Sequence, residues 1–296
     1  MKKPKVLVIV GPTASGKTSL SIKLAKHFSG EVISADSRQV YCGLDIGSGK
    51  VTTAEMLGIP HHMLDVADPK TVYTANDFVR DGREVLAGIL RRGNLPIIVG
   101  GSFFYVDALL GRVSFPEVPP NPSLRTELDL KSTEELYALL VSQDQRRAEE
   151  IDKDNRPRLI RAIEISAELG AVPLPHGAPL YDALMIGIVT DKETLHKNIH
   201  DRLISRMESG MLEEVEKLHA QGLSYERLES FGLEYRYLAH HLKGELPYCE
   251  MLEILETKIR QFAKRQMTWL KRDTEIIWNP KEDVPGITEL IENFLK

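Results

Sequence analysis

Residues 11–18 constrain the fold of this chain more than any other segment. They read Gly-Pro-Thr-Ala-Ser-Gly-Lys-Thr and lie between the apolar run 6–10 and a segment, 19–25, whose apolar residues recur at helical spacing. A strand, a glycine-bounded loop and a helix in this order form the context in which the pattern G-x-x-x-x-G-K-[ST] binds phosphate. The segment therefore predicts a phosphate-binding loop, here called the P-loop.

The residue types of the P-loop each have a chemical use. Glycines let successive backbone N–H groups point at one anion, and the N-terminus of the following helix adds to the field. Lys17 supplies a mobile charge, and the Thr18 hydroxyl can bind Mg²⁺. We expect every residue of the loop to contribute to the phosphate site: Gly11, Pro12, Thr13, Ala14, Ser15, Gly16, Lys17 and Thr18. The motif does not identify the molecule that carries the phosphates.

Composition excludes several classes of protein. The 296 residues are 42% hydrophobic and 27% charged, as in an ordinary globular protein. The N-terminal apolar run has only five residues before Gly11, too few for a signal peptide or a membrane span. Two cysteines form neither a metal motif nor a disulfide framework, so we expect a cytoplasmic protein that does not bind membranes. The net charge of −5 means that any nucleic-acid site must be a local patch.

The order of apolar patterns predicts an α/β fold. Strand-like runs at 5–10, 31–35, 95–99 and 184–189 alternate with helical patterns, as expected for a parallel sheet flanked by helices. Proline-rich segments at 115–122 and 170–179 bracket a stretch, 123–170, with a helical pattern throughout. We expect an α/β core of residues 1–114 and 181–296 and an all-helical insertion domain of residues 115–180. The pattern is helical again from 192 to about 272, and one short apolar run, 276–278, follows.

Two strand ends carry polar residues that suit a reaction site. Asp36 ends the second strand, where a carboxylate can bind Mg²⁺, orient a substrate or accept a proton; a helix cap or turn residue is the structural alternative. The strand 97–99 ends in Gly100-Gly101-Ser102 and not in the acidic residue typical of ATP hydrolases. Ser102 can hydrogen-bond a ligand, and the alternative is a tight turn that needs glycine for packing alone.

Two basic segments interrupt the acidic chain. Residues 145–161 contain six basic and four acidic residues, and residues 258–272 contain six basic and no acidic residues. On a helix, Ile259, Phe262, Ala263 and Leu270 form a buried stripe and leave the cations outward. A solvated helix face is one interpretation. The absence of compensating acid in the second segment favours binding of a polyanion such as RNA or DNA.

The two histidine pairs do not suggest a metal site. His61 and His62 are adjacent, so their side chains point apart on a helix or strand. We expect them to be loop residues beside a ligand or on the surface. A helix surface explains His240 and His241.

Several motifs together closely resemble the tRNA dimethylallyltransferase family. The motifs are residues 11–18, Ile33 to Tyr41 (Ile-Ser-Ala-Asp-Ser-Arg-Gln-Val-Tyr), 43–50, 60–65, 161–164 and the Ala-Lys-Arg-Gln-Met-Thr-Trp of 263–269. The similarity spans nearly the whole chain. Members of this family transfer a dimethylallyl group from its diphosphate to N6 of adenine 37, beside the tRNA anticodon, with Mg²⁺ and without ATP.

The resemblance implies a role for each matching residue. The P-loop would hold the diphosphate leaving group, Asp36 would take the proton from the adenine amine, and Arg202 would assist at the diphosphate; Thr18 and Ser102 complete the catalytic set. Positions that match tRNA contacts are Asp36, Ser37, Arg38, Gln39, Ser102, Pro157, Arg158, Leu159, Ile160 and Arg161, and we add Lys264 and Arg265 of the basic segment. The target base would be flipped out of the anticodon loop, and the insertion would embrace the anticodon stem-loop. We expect a monomer.

The chain departs from the family at three places. Gly-Gly-Thr-Gly-Leu-Tyr is usual where this chain has Gly-Gly-Ser-Phe-Phe-Tyr at 100–105, Cys42 replaces a common arginine, and Ile-Gly-Tyr-Lys-Glu becomes Phe-Gly-Leu-Glu-Tyr at 231–235.

The main alternative is a P-loop kinase that phosphorylates a nucleotide or another small molecule. A kinase shares the loop, Mg²⁺ and the acid after strand two, but it explains neither the basic segment 258–272 nor the missing second acid.

Overall fold

Strand β1 (Lys5–Val10) lies inside a six-stranded parallel sheet. Its residues Val6 to Val10 have no solvent exposure, which explains why this segment of the sequence is apolar. The computed structural model describes residues 2–116, 118–174 and 177–296. The strand order is β3-β2-β4-β1-β5-β6, with every neighbouring pair parallel. The other strands are β2 (Gly30–Ser34), β3 (His61–His62), β4 (Leu95–Gly100), β5 (Asp182–Val189) and β6 (Ile277–Pro280).

Thirteen helices occur in the described residues, and the parallel crossovers place helices on both faces of the sheet. Their bounds are α1 (Lys17–Phe28), α2 (Ala75–Arg91), α3 (Phe103–Leu109), α4 (Pro122–Asp129), α5 (Thr133–Gln143), α6 (Gln145–Glu150), α7 (Arg156–Leu169), α8 (Lys192–Glu208), α9 (Met211–Ala220), α10 (Tyr225–Ser230), α11 (Leu233–Leu242), α12 (Tyr248–Leu270) and α13 (Val284–Leu295).

The strand register gathers the functional loops at one edge of the sheet. Val10 of β1 pairs with Gly100 of β4, and Ser34 of β2 pairs with Val99 of β4. The segments that follow these three strands begin with Gly11, Ala35 and Gly101. Because parallel strands share one carboxyl edge, the P-loop, Asp36 and Ser102 emerge side by side.

The chain divides into two compact units. One comprises residues up to 111 together with 179–296, and the other comprises residues 112–178. Among its described residues, the regular elements of the second unit are all helices, α4 to α7, around the buried leucines Leu128, Leu136, Leu140 and Leu159. Parts of the two proline-rich segments, at Glu117 and at Pro175 and His176, lie outside the described residues.

A buried glutamate organises the helical unit. Glu164 on α7 accepts hydrogen bonds from Arg125 Nε and Nη2, both at 2.7 Å, and from the Asn121 backbone N–H at 2.8 Å. Arg161, one turn earlier, lies 3.2 Å from the same carboxylate and donates to the carbonyl of Val118. Burial raises the pKa of Glu164 and the guanidinium of Arg125 lowers it, and the net result is a lowered pKa.

Three sequence-based expectations about local structure are wrong. His61 and His62 are not loop residues: they form β3, which pairs with β2, and His62 Nε2 lies 2.6 Å from Glu31 Oε2. Pro122 is not part of the linker but occupies the first turn of α4, where a missing N–H costs nothing. Phe262 is only half-buried, whereas Ile259, Ala263 and Leu270 are buried as expected.

The tail contains more structure than its single apolar run indicates. Residues 277–280 form β6, which extends the sheet beside β5, and α13 then packs Ile287 and Ile291 against the buried face of the sheet. No helix in the described ranges is both long and apolar enough to cross a membrane.

Candidate active site

The P-loop leaves β1 at Val10 and enters α1 at Lys17, as the sequence pattern predicts. Gly16 has a left-handed φ of 87°, and Ala14, unusually for an L-residue, also has a positive φ of 62°. The Lys17 ammonium donates to the carbonyl oxygens of Gly11 at 2.9 Å and Pro12 at 2.6 Å. The Lys17 side chain thus lies across its own loop, where a bound anion would compete with these carbonyl oxygens for the ammonium group.

Ser15 provides the test of whether the loop fits a phosphate ligand. Its side chain is 1% exposed, and its hydroxyl has no hydrogen-bond partner in the structure. A buried hydroxyl without a partner costs free energy, so the loop is complete only with a further polar group. Thr18 is exposed at the first turn of α1, with its hydroxyl accessible to a metal-bound phosphate. The donor set fits a diphosphate, and Mg²⁺ would be held by the Thr18 hydroxyl together with diphosphate oxygens and water, since no acidic residue directly follows β4.

Two buried cations set the electrostatics of the site. Burial, and next the positive charge of Arg202, lower the pKa of Lys17 to about 7, against the opposing effect of Asp36. Burial and then Arg206 lower the pKa of Arg202 to about 10, opposed by Glu234 and Asp36. Arg202 Nη1 lies 3.4 Å from Thr13 Oγ1. An anion bound beside Lys17 and Arg202 would offset the repulsion between them and favour their charged forms, so the site suits a polyanionic ligand.

Asp36 is the second residue after β2 and is held by the backbone that follows it. Its Oδ1 accepts hydrogen bonds from the N–H groups of Arg38 at 2.8 Å and Gln39 at 3.4 Å. These bonds hold Oδ1 in a turn of the kind that aspartate favours. The interpretation of Asp36 as a turn residue therefore explains the contacts of Oδ1. Its charge also acts on Lys17 and Arg202, which brings the carboxylate into the field of the P-loop.

Ser102 lies next to Asp36 but its hydroxyl is engaged by the protein. Ser102 Oγ accepts a hydrogen bond from the Ser37 N–H at 3.1 Å, and the Ser102 N–H donates to the Ala35 carbonyl at 3.2 Å. A Cβ on Gly100 would be only 2.1 Å from that same Ala35 oxygen. The glycine is therefore required for close packing, and the serine connects the ends of β2 and β4.

Gln266 of α12 joins the P-loop to the end of β4. Its Oε1 accepts a hydrogen bond from the Thr13 N–H at 2.9 Å, and its Nε2 donates to the Gly101 carbonyl at 3.1 Å. A Cβ on Gly101 would lie 2.3 Å from that same Nε2. One side chain therefore fixes the spacing between the phosphate loop and the segment that contacts Ala35 and Ser37, on either side of Asp36.

A second layer of charge lies behind Arg202. Arg206, one helical turn later on α8, lies 3.3 Å from Glu234 and 3.4 Å from the Gly47 carbonyl. The Nη2 atoms of Arg202 and Arg206 lie 2.1 and 1.5 Å from where a Cβ on Gly49 would be, so both guanidinium groups cover that glycine. Burial raises the pKa of Glu234 and Arg206 lowers it, with a raised pKa as the net result.

The residues predicted to contact tRNA in the α/β unit differ in accessibility. Gln39 is engaged internally: its Oε1 accepts from Ser34 Oγ at 2.8 Å, and its Nε2 donates to the Gly49 carbonyl at 3.1 Å. Ser37 and Arg38 are half-buried around Asp36. Lys264 and Arg265 are exposed on α12, on the side opposite the buried Ala263 stripe, as predicted.

In the helical unit, the predicted segment 157–161 divides by helix face. Leu159 is fully buried and Ile160 is 9% exposed, so their side chains pack in the unit's own core. Arg161 binds Glu164 and Val118, whereas Pro157 and Arg158 are exposed. Several other cations of segment 145–161 also serve the fold: Arg146 donates to the Val172 carbonyl, and Arg156 donates to the carbonyls of Leu128 and Asp129 at the end of α4. This segment therefore presents fewer available cations than its composition indicates.

Sequence reasoning did not identify four residues of the site. Asn198 donates to the Ala14 carbonyl at 3.2 Å, and Gln266, Arg206 and Glu234 make the contacts described above. Arg206 carried a signal, because it lies four residues after Arg202 and so on the same face of a helix. Glutamine and asparagine in the middle of helices carry no such signal.

Comparisons with known proteins agree on one family. A family model described as IPP transferase matches residues 39–273. The chain is 47% identical over 270 residues to tRNA dimethylallyltransferase 1 of Geotalea uraniireducens, covering 90% of this chain and 88% of the relative. It is 45% identical over 273 residues to tRNA dimethylallyltransferase 2 of Shewanella sediminis, covering 92% and 90%.

Solved structures show the same similarity. The full-length tRNA isopentenylpyrophosphate transferase from Bacillus halodurans is 32% identical with a TM-score of 0.76, covering 99% of this chain and 97% of that one. A eukaryotic dimethylallyltransferase described as acting on tRNA is 28% identical with a TM-score of 0.82, covering 94% of this chain and 74% of that one. The parallel sheet with flanking helices is therefore a fold that these transferases share.

Proposed function

Because the chain belongs to the IPP transferase family and is a prenyltransferase enzyme, we propose that it transfers a dimethylallyl group from dimethylallyl diphosphate to N6 of adenine 37 in tRNA. The observation that carries this proposal is the convergence of the P-loop, Asp36 and Arg202 at the carboxyl edge of the sheet. A cationic phosphate site beside a carboxylate suits a reaction with an anionic leaving group and a proton to remove.

The P-loop holds the diphosphate of the donor in this proposal. Backbone N–H groups of the loop, the Ser15 hydroxyl and the Lys17 ammonium bind its oxygens, and Arg202 approaches from the side of Thr13. When the allylic C–O bond breaks, its electron pair stays on pyrophosphate, and these groups stabilise the growing charge. Mg²⁺, held by the Thr18 hydroxyl, would neutralise part of that charge when bound.

Asp36 acts as the general base. The exocyclic amine of adenine is a weak nucleophile because its lone pair is delocalised into the ring, so attack needs proton removal. As the N6–C bond forms, one N6 proton passes to the Asp36 carboxylate. The Arg38 and Gln39 N–H groups keep Oδ1 in place, and Ser102 steadies the same turn through Ser37.

Binding of tRNA is assigned to the exposed cations. Lys264 and Arg265 lie on the same helix as Gln266, which contacts the P-loop, so phosphates of the RNA bound there would lie near the donor site. Arg158 and the neighbouring residues of the insertion supply further contacts to the anticodon stem-loop. A base removed from the stack can then reach Asp36.

A transfer assay tests the proposal. The enzyme is incubated with Mg²⁺, dimethylallyl diphosphate and unmodified tRNA, and the digested RNA is examined by mass spectrometry. We expect one dimethylallyl group on one adenine per tRNA. Asp36→Ala should lower the rate about 10²–10⁴-fold while tRNA binding persists, the usual effect of a lost general base. No transfer by the unaltered enzyme, together with phosphorylation of a small molecule by ATP, would contradict the proposal and favour a kinase.

A further inference from the structure

Lys281 lies beside the P-loop, between β6 and α13, in a part of the chain that the family match does not include. The position that a Cβ would occupy on Gly16 is 2.9 Å from Lys281 Cδ and 3.7 Å from Lys281 Nζ. Gly16 is the residue that caps the N-terminus of α1. The lysine side chain therefore covers the start of the helix that follows the phosphate loop.

This is an unfavourable place for a cation in the free protein. A helix N-terminus carries partial positive charge, so a nearby ammonium group is repelled by about the amount that an anion there gains. Lys17 and Arg202 add two cations at the same loop. Lys281 pairs with Glu282 at 3.8 Å, but that carboxylate is 71% exposed, and exposed pairs contribute little. The location is favourable once an anion is bound.

The loop itself supplies independent support for a bound anion. The Ser15 hydroxyl, one residue before Gly16, is buried without a hydrogen-bond partner. We propose that Lys281 is a further ligand of the donor's diphosphate, binding it from the Gly16 side while Arg202 binds from the Thr13 side. This inference rests on the proposed function, because it takes the diphosphate as the occupant of the loop. It makes the segment after β6 part of the active site.

Binding of inorganic pyrophosphate with Mg²⁺ tests the inference without using tRNA. Isothermal titration calorimetry compares the unaltered enzyme with Lys281→Met and Lys281→Arg. We expect Lys281→Met to weaken binding about tenfold, the loss of one charge-assisted hydrogen bond, and Lys281→Arg to retain most of the affinity. Lys26→Met is the matched control, because this exposed lysine lies in the last turn of the same helix, away from the P-loop. It should bind pyrophosphate within twofold of the unaltered enzyme.

Thermal unfolding without ligand supplies a second readout, which a purely structural lysine would not produce. Lys281→Met should raise Tm by about 1–2 °C, because it removes a cation from a helix N-terminus, and Lys26→Met should lower Tm slightly, because its cation is at the favourable end. Pyrophosphate affinity unchanged in Lys281→Met, with normal binding by the unaltered enzyme, would overturn the inference alone. Failure of the unaltered enzyme to bind pyrophosphate would overturn the proposed function and the inference with it.

Discussion

Gln266 accepts a hydrogen bond from the Thr13 N–H at 2.9 Å, although 253 residues separate them in the chain. Thr13 belongs to the loop that would hold the leaving group, and Gln266 belongs to the helix whose exposed face carries Lys264 and Arg265. Because the same glutamine donates to Gly101, beside Ser102, it links the phosphate loop, the Asp36 turn and the basic helix. We therefore expect donor binding to be sensitive to the position of the helix that we assign to tRNA.

Replacing Gln266 tests this link. Gln266→Glu keeps an acceptor for the Thr13 N–H but removes the donor to Gly101 and places a negative charge at the diphosphate site. We expect KM for dimethylallyl diphosphate to rise about tenfold, and Tm to fall by a few degrees because the Gly101 carbonyl loses its donor and faces a carboxylate. Steady-state kinetics at saturating tRNA measures the effect. Gln266→Met is the neutral control, and an equal KM increase in both variants would mean that charge is not the cause.

The basic helix predicts a particular dependence of tRNA binding on salt. Lys264→Ala with Arg265→Ala should weaken tRNA binding and reduce the slope of log K against log salt by about 1–2, the number of phosphate contacts removed. Filter binding from 50 to 300 mM KCl measures that slope. Lys23→Ala with Lys26→Ala removes equal charge from the exposed face of α1. If both double variants change the slope alike, the effect reflects net charge and not a contact by α12.

Removing one partner of the ion pair between Arg206 and Glu234 should lower the stability of the protein. Their side chains are 14% and 17% exposed, so Glu234→Leu leaves a nearly buried guanidinium without its carboxylate. We expect the free energy of unfolding to fall by about 3 kcal/mol, in the range seen when one partner of a buried pair is removed. Urea denaturation measures the change. Glu234→Leu with Arg206→Met should recover part of it, and equal losses in the single and double variants would exclude coupling between the two residues.

Glu31 predicts how stability depends on pH. Its side chain is 4% exposed, and hydrogen bonds, first from Arg92 and then from Asn94 and His62, lower its pKa to about 2 from 4.5 although burial opposes them. Because the folded-state pKa is the lower one, this stabilisation is complete above pH 4.5 and is lost as the pH falls towards 2. We expect it to be about 1–2 kcal/mol, because solvent screens the half-exposed Arg92.

Unfolding of the enzyme and of Glu31→Gln by urea, at several values between pH 6 and pH 3, measures this contribution. The variant should be the less stable protein at pH 6, and the difference should shrink as the pH falls, since Glu31 of the unaltered protein is protonated in the unfolded chain at a higher pH than in the folded one. Other carboxylates titrate equally in both proteins and cancel in the comparison. A difference that is constant with pH would exclude Glu31 as a source of acid sensitivity.

Local patterns in the sequence were sufficient to predict the location of the residues that follow the strands. The P-loop was found from its motif between the apolar run 6–10 and a helix, and Asp36 was found because it directly follows the apolar run 31–35 at the carboxyl edge of the sheet. β3 was missed because two residues are too few to show the alternation that indicates a strand. Contacts such as Thr13 with Gln266 arise from the docking of distant elements, and no local pattern encodes that docking.

The position of Lys281, near the other end of the chain, likewise could not be predicted from a local sequence pattern. Its neighbour Gly16 is 265 residues away along the chain, and a lysine in a polar turn ordinarily indicates solvent exposure. Its position depends on β6 joining the sheet beside β5, which brings the turn to the same edge as the P-loop. The tertiary structure was therefore required to connect this residue with the site.

In the proposed reaction the P-loop holds a pyrophosphate leaving group, and the donor itself supplies the energy of transfer. The most direct test measures pyrophosphate release and adenine modification in one reaction containing enzyme, Mg²⁺, dimethylallyl diphosphate and unmodified tRNA, but no ATP. We predict one pyrophosphate released for each adenine modified, with a release rate that does not change when ATP is added. Modification that requires ATP hydrolysis, or pyrophosphate release that does not depend on tRNA, would contradict the assignment of the P-loop to the leaving group of the donor.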